Sequence, residues 1–318
     1  MTEKDKKKAF SRIGWYLVVL LITSTVTQSI VIAIISKIYK QVLDYGFVNF
    51  IIIFGSMYLV GVPVANMLLK GKSVLVNEKK NLDKKTLLKL IPITVFVVYL
   101  GSILGQVVIN LLTAVTGKVA VDPVGEILSQ TNIFFTFIFV GLIGPIVEEY
   151  VFRKQILDHT RMFGDKRAIV FSAFVFALFH GNLSQMFYAF TLGLLFGYIY
   201  VKTGSIKYSA GLHVMVNTVS GVIVGRIANS LDLDVLNKGF SVVFSSGEFG
   251  KFIIVIIYSF LVLVLAVIGA FLFLKNRNRI NFEPPVLELE RPFKQMYING
   301  GIIVFTLFML ISIIGSFI

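Results

Sequence analysis

Cysteine is absent from this 318-residue chain. That excludes disulfides, thiolate metal sites and a cysteine nucleophile. Charge is scarce as well: 15% of residues are Asp, Glu, Lys or Arg, where soluble domains carry about 25%. Hydrophobic residues make up 56% and mean hydropathy is +0.86, the composition of an integral membrane protein. Histidine occurs three times, so every imidazole is open to individual scrutiny. Several hydrolase signatures are also missing. There is no His-Glu-x-x-His zinc helix, no Gly-x-Ser-x-Gly elbow and no pair of separate intramembrane aspartates.

Basic residues outnumber acidic ones, 30 to 17, for a formal charge of +13. Nucleic acid is not the partner this implies. The lysines and arginines fall in short clusters between apolar runs, as membrane topology places them. Runs long enough to span lie near 14–36, 47–69, 91–115, 133–153, 184–203, 207–227, 251–274 and 297–317. A shorter run, 168–182, ends at Gly181-Asn-Leu-Ser-Gln185 and suggests a tight hairpin over 168–203 that does not fully cross. Lipid tolerates no unpaired backbone, so the spans are helical. The expected fold is an all-α polytopic membrane protein of about eight to nine transmembrane helices.

The first run is too long for a signal-peptide core and reads as an uncleaved span. With nine spans and the N-terminus in the cytoplasm, 24 of the 30 Lys and Arg residues fall on the cytoplasmic side. The chain divides into N-terminal helices with a basic cytoplasmic loop (1–130), a core (131–228), and C-terminal helices with a proline-containing cytoplasmic linker (229–318). Lys70–Lys89 reads as a positive-inside loop or as an amphipathic surface helix. Asn276–Lys294, with Pro284, Pro285 and Pro292, reads as an irregular linker separating the last span from the rest.

Chemistry concentrates in 133–217. Glu148 and Glu149 end the apolar run Ile133–Val147, where each charge costs about 2.5–3.5 kcal/mol at a helix centre. Glu149 and Arg153 are i and i+4 and can pair, whereas Glu148 points about 100° away and is free to take a proton. An interfacial acidic pair at a helix end is the plainer alternative, although negative charge there is unfavourable. Pro145 opens the helix one turn earlier. Downstream come Phe176-Ala-Leu-Phe-His180 and His213-Val-Met-Val-Asn217. His159, beside Asp158 in a basic loop, reads as a surface residue. Glutamate with two histidines suits either a metal site or direct activation of water.

These three groups, in order and on successive membrane segments, resemble the CPBP intramembrane proteases. That family includes the type II CAAX prenyl endopeptidases and the bacteriocin-processing or immunity-associated proteins. The resemblance covers roughly 130–220. It implies a catalytic set of Glu148, His180, His213 and Asn217: a general base, a water-orienting imidazole, and two oxyanion donors. Glu149 and Arg153 would support them, and Phe176 would pack. It also implies a candidate divalent metal such as zinc on Glu148, His180 and His213, or a mechanism without metal. The last span, 297–317, lies beyond the family's usual eight helices. The expected activity is hydrolysis of a peptide bond in a membrane-associated peptide or protein. A non-catalytic membrane scaffold or bacteriocin-immunity protein, binding a peptide or cell-envelope enzyme in the same cavity, is the rival. Lysine-, isoleucine- and asparagine-rich usage looks bacterial, which favours a plasma-membrane location and argues against a prenylated substrate. Glu148 is expected near the cytoplasmic end of its span, in a cavity open to that side.

Overall fold

Helices are the only element type among the described residues, as backbone in lipid requires. The computed structural model describes residues 1–71, 75, 78–118 and 131–316. Its principal helices are α1 (Glu3–Tyr39), α2 (Gly46–Asn66), α3 (Lys84–Thr116), α4 (Ile133–Phe163), α5 (Asp165–Phe179), α6 (Leu183–Thr203), α7 (Ile206–Asn229), α8 (Phe249–Asn276) and α9 (Gly300–Gly315). Polar caps set many of their starts. Thr2, Asp83, Asn132, Asn182, Ser205 and Asn299 each accept a hydrogen bond from the first turn.

All eight long apolar runs become helices, and seven of these are long and apolar enough to cross a membrane. The exception is α9, at 16 residues, about 24 Å at 1.5 Å per residue. Helix α5 is shorter still, at 15 residues, and α6 turns back along it after Gly181. The expected 168–203 hairpin therefore forms, with α6 at full spanning length. The expected division near residue 130 falls outside the described residues, as does part of Lys70–Lys89.

Helix α3 packs between α6 and α8, while α1 packs between α2 and α9. One end of the bundle gathers the basic loops and is tied by hydrogen bonds between distant segments. Leu75 N–H donates to the Asp158 carbonyl and Lys80 N–H to that of Thr203, while the Leu82 N–H bonds the Tyr208 hydroxyl. The described part of the 70–89 connection is thus an irregular strap up to Asp83 and the first turn of α3 from Lys84, with Leu82 of the strap and Leu87 of the helix packed against a buried cluster.

Three expectations change. Glu148 lies mid-helix, because α4 runs on from the apolar stretch to Phe163. Its later polar residues are paired inside the bundle: Asp158 accepts from Tyr200 and Lys154, and Arg161 bonds Asp165. His159 is accordingly helical and half-buried, with Nδ1 2.5 Å from the Gln155 carbonyl, so it is not an exposed loop residue. The 276–294 linker is irregular as expected, yet it joins the last helix to the core. Val286 and Leu287 donate to the Met162 carbonyl, Glu283 N–H donates to Asp165, and Arg167 pairs with Glu288.

Candidate active site

Pro145 has no N–H to donate to the Gly141 carbonyl, and α4 is widened there. Residues Phe137–Ile143 and Tyr150–Leu157 form π-helical turns on either side, and α7 widens likewise over Asn217–Val224. Such turns redirect carbonyls and side chains and recur at functional sites. The Val140 carbonyl, inside one of them, accepts from Asn217 Nδ2 at 3.2 Å. One widened turn thereby orients the amide carried by another.

The adjacent glutamates diverge as helical phase requires. Glu149 and Arg153 are fully buried, 3.0 Å apart. Aromatic rings cover the guanidinium, with Phe176 4.8 Å and Phe196 6.0 Å from its carbon. Glu148 retains 22% side-chain exposure and lines a cavity of about 230 Å³. Among the described residues no group hydrogen-bonds its buried Oε2. Glu148 is reachable and Glu149 is not.

His180 caps the C-terminus of α5. Its Nδ1 lies 2.9 Å from the Phe176 carbonyl. A carbonyl only accepts, so Nδ1 carries the proton and the neutral ring keeps its lone pair on Nε2. His213 sits between the two carboxylates, with Nδ1 3.3 Å from Glu149 Oε1 and Nε2 3.6 Å from Glu148 Oε2. The Phe176 ring meets His180 and His213 edge-on, at 4.8 and 5.9 Å. Phe176 is thus the packing hub of Arg153 and both imidazoles, and it takes no part in proton chemistry.

Glu148, His180, His213 and Asn217 all line the one cavity. Its remaining walls carry no motif: Phe50, Ile53 and Phe54 from α2, with Gln185, Tyr188 and Leu192 from α6. Tyr58 also comes close, its hydroxyl 3.4 Å from where a Cβ on Gly144 would sit. Only Gln185, in the polar turn after Gly181, left a trace in the sequence. These walls belong to the starting halves of α2 and α6, so the cavity occupies the half of the bundle away from the basic end. This placement departs from the expected cavity at the basic end, and Glu149, Arg153 and Phe176, on that side of Glu148, are buried.

A metal needs several convergent donors with free lone pairs. Among the described residues no group of three His, Asp or Glu side chains is placed to hold one. Both nitrogens of His213 face carboxylates, which suits a donor more than a ligand. Glu148, His180 and His213 in this arrangement do not fit a metal, and no step below passes through one.

A comparison with protein families falls on the same stretch. Residues 130–219 match the family model described as Type II CAAX prenyl endopeptidase Rce1-like. A curated relative, the "Membrane-embedded CAAX protease MroQ" of Staphylococcus aureus (strain USA300), is 32% identical over 123 residues. That alignment takes in 35% of this chain and 49% of the relative, so the chain spans about half the length of the curated protein it matches. No solved structure matches it significantly.

Proposed function

We propose that this integral membrane protein is an intramembrane endopeptidase, a reading supported by the match of residues 130–219 to the Type II CAAX prenyl endopeptidase Rce1-like family model and by the similarity to a membrane-embedded CAAX protease. Its substrate is a membrane-associated peptide or protein. One observation carries the reading: four polar side chains from three separate helical segments line a single cavity walled by apolar residues.

Glu148 is the general base. It takes a proton from a water that the His180 Nε2 lone pair helps to orient. The hydroxide attacks the scissile carbonyl carbon, and the oxyanion faces Asn217 Nδ2–H and His213 Nε2–H, where fixed donors in a dry site have most effect. Glu148 then returns the proton to the departing amide nitrogen, the C–N bond breaks, and a carboxylic acid and an amine leave. Glu149 and Arg153 hold His213 from below. When its ring carries both protons, two carboxylates face one guanidinium and one imidazolium, and the charges balance.

The basic end lies in the cytoplasm of a bacterial plasma membrane, with the N-terminus inside. The cavity then serves substrate entering from the outer half of the bilayer. The test is cleavage of a quenched-peptide library by detergent-purified protein, with Glu148→Ala and His180→Ala as comparisons. Each variant is expected to lose at least about 100-fold in rate, as loss of acid–base catalysis predicts. Cleavage that persists in both would overturn the assignment. The same preparation is expected to keep its activity after dialysis against a chelator.

A further inference from the structure

Helix α9 has no place in the chemistry above, yet its end touches the turn that carries His180. Ser312 Oγ donates to the Gly181 carbonyl at 3.0 Å. Gly181 directly follows His180 and adopts φ +64°, a conformation that L side chains rarely take. The approach is tight: a Cβ on Gly181 would lie 2.8 Å from Ser312 Oγ and 3.0 Å from Met309 Cε. From within the turn, Asn182 Nδ2 donates to the His180 carbonyl at 2.9 Å. The two peptide units that follow His180 are therefore each held, the first by Asn182 of its own turn and the second by Ser312 of α9.

The far end of α9 is fixed just as firmly. Gly301 N–H donates to Ser11 Oγ at 3.0 Å, and a Cβ on Gly14 would lie 2.1 Å from the Gly301 carbonyl carbon. Tyr297 packs its ring on Phe171 and Phe174 of α5, centroids 5.7 and 5.3 Å away. The segment from Tyr297 through α9 thus runs from the middle of α5 to the turn at Gly181. Its 16 residues are few for a span, but they reach from Gly301 to that turn.

We propose that α9 is a positioning element for His180, acting through the Ser312 hydroxyl. The Ser312 bond fixes the 181–182 peptide plane. That fixes the end of α5, and with it the direction in which His180 Nε2 enters the cavity. The proposal rests on His180 acting in peptide hydrolysis, as inferred above.

The experiment compares full-length wild type, Ser312→Ala and Ser312→Thr in detergent, by steady-state kinetics and by hydrogen exchange of the 178–186 segment. Ser312→Ala is expected to lower kcat about tenfold, the order one hydrogen bond supports, with KM within about twofold. Ser312→Thr, which keeps the hydroxyl, is expected to restore kcat to within about twofold. Exchange in 178–186 is expected to quicken in Ser312→Ala and not in Ser312→Thr, while the thermal midpoint stays near wild type. Unchanged exchange in Ser312→Ala overturns the clamp whether or not the protein cleaves anything. Faster exchange with unchanged kcat overturns its role in catalysis. A wild type that cleaves no peptide sinks the protease reading instead, and the exchange data then judge the clamp alone.

Discussion

Glu148 and Glu149 are chemically identical neighbours with opposite fates, separated only by helical phase. Glu149 meets Arg153 one turn on and disappears from solvent, while Glu148 keeps 22% exposure in the cavity. The difference sets two expectations. Arg153→Met strands a buried carboxylate, which typically costs about 3–5 kcal/mol, and should depress the thermal midpoint sharply. Glu148→Gln changes a group at the cavity edge and should leave the midpoint near wild type while cleavage is lost. Equal midpoints for the two variants would contradict this division of labour. The Glu149–Arg153 pairing was legible in the sequence because i,i+4 spacing is a local property. The place of Phe176 over Arg153 was not, because α4 and α5 meet only in the folded bundle.

At the scale of elements, membrane helices associate without a hydrophobic driving force and depend on close backbone approach. Gly14 of α1 and Gly301 of α9 provide one such approach. Gly14→Val or Gly301→Val forces the two backbones apart, an overpacking that costs about 1–3 kcal/mol. Trypsin digestion of the 276–294 linker, with its Arg277, Arg279 and Lys294, should accelerate in both variants. Digestion at the wild-type rate would show that α9 stays docked by other means. The helices themselves were legible as long apolar runs. The end of α4 was not, since Asp158 and Arg161 look like surface residues until Tyr200 and Asp165 are seen to meet them.

For the whole molecule, the basic loops gather at one end and the cavity occupies the other half. This topology can be tested directly because the chain contains no cysteine, so any introduced thiol is unique. In intact cells, a membrane-impermeant maleimide should label Lys238→Cys and should not label Arg279→Cys until the cells are opened; both positions are exposed. The reverse pattern would invert the proposed orientation. Hydropathy, charge placement and the three polar motifs are written along the chain, so the sequence by itself determined the helical class, the membrane setting and the four polar residues proposed as the site. Only the tertiary structure decided that Glu148 lies mid-helix, that apolar residues of α2 wall the cavity, and that the last helix reaches back to the turn beyond His180. Those facts depend on contacts between distant segments, 131 residues apart for Ser312 and Gly181, and helix-to-helix packing of that range leaves no periodic signal in the sequence.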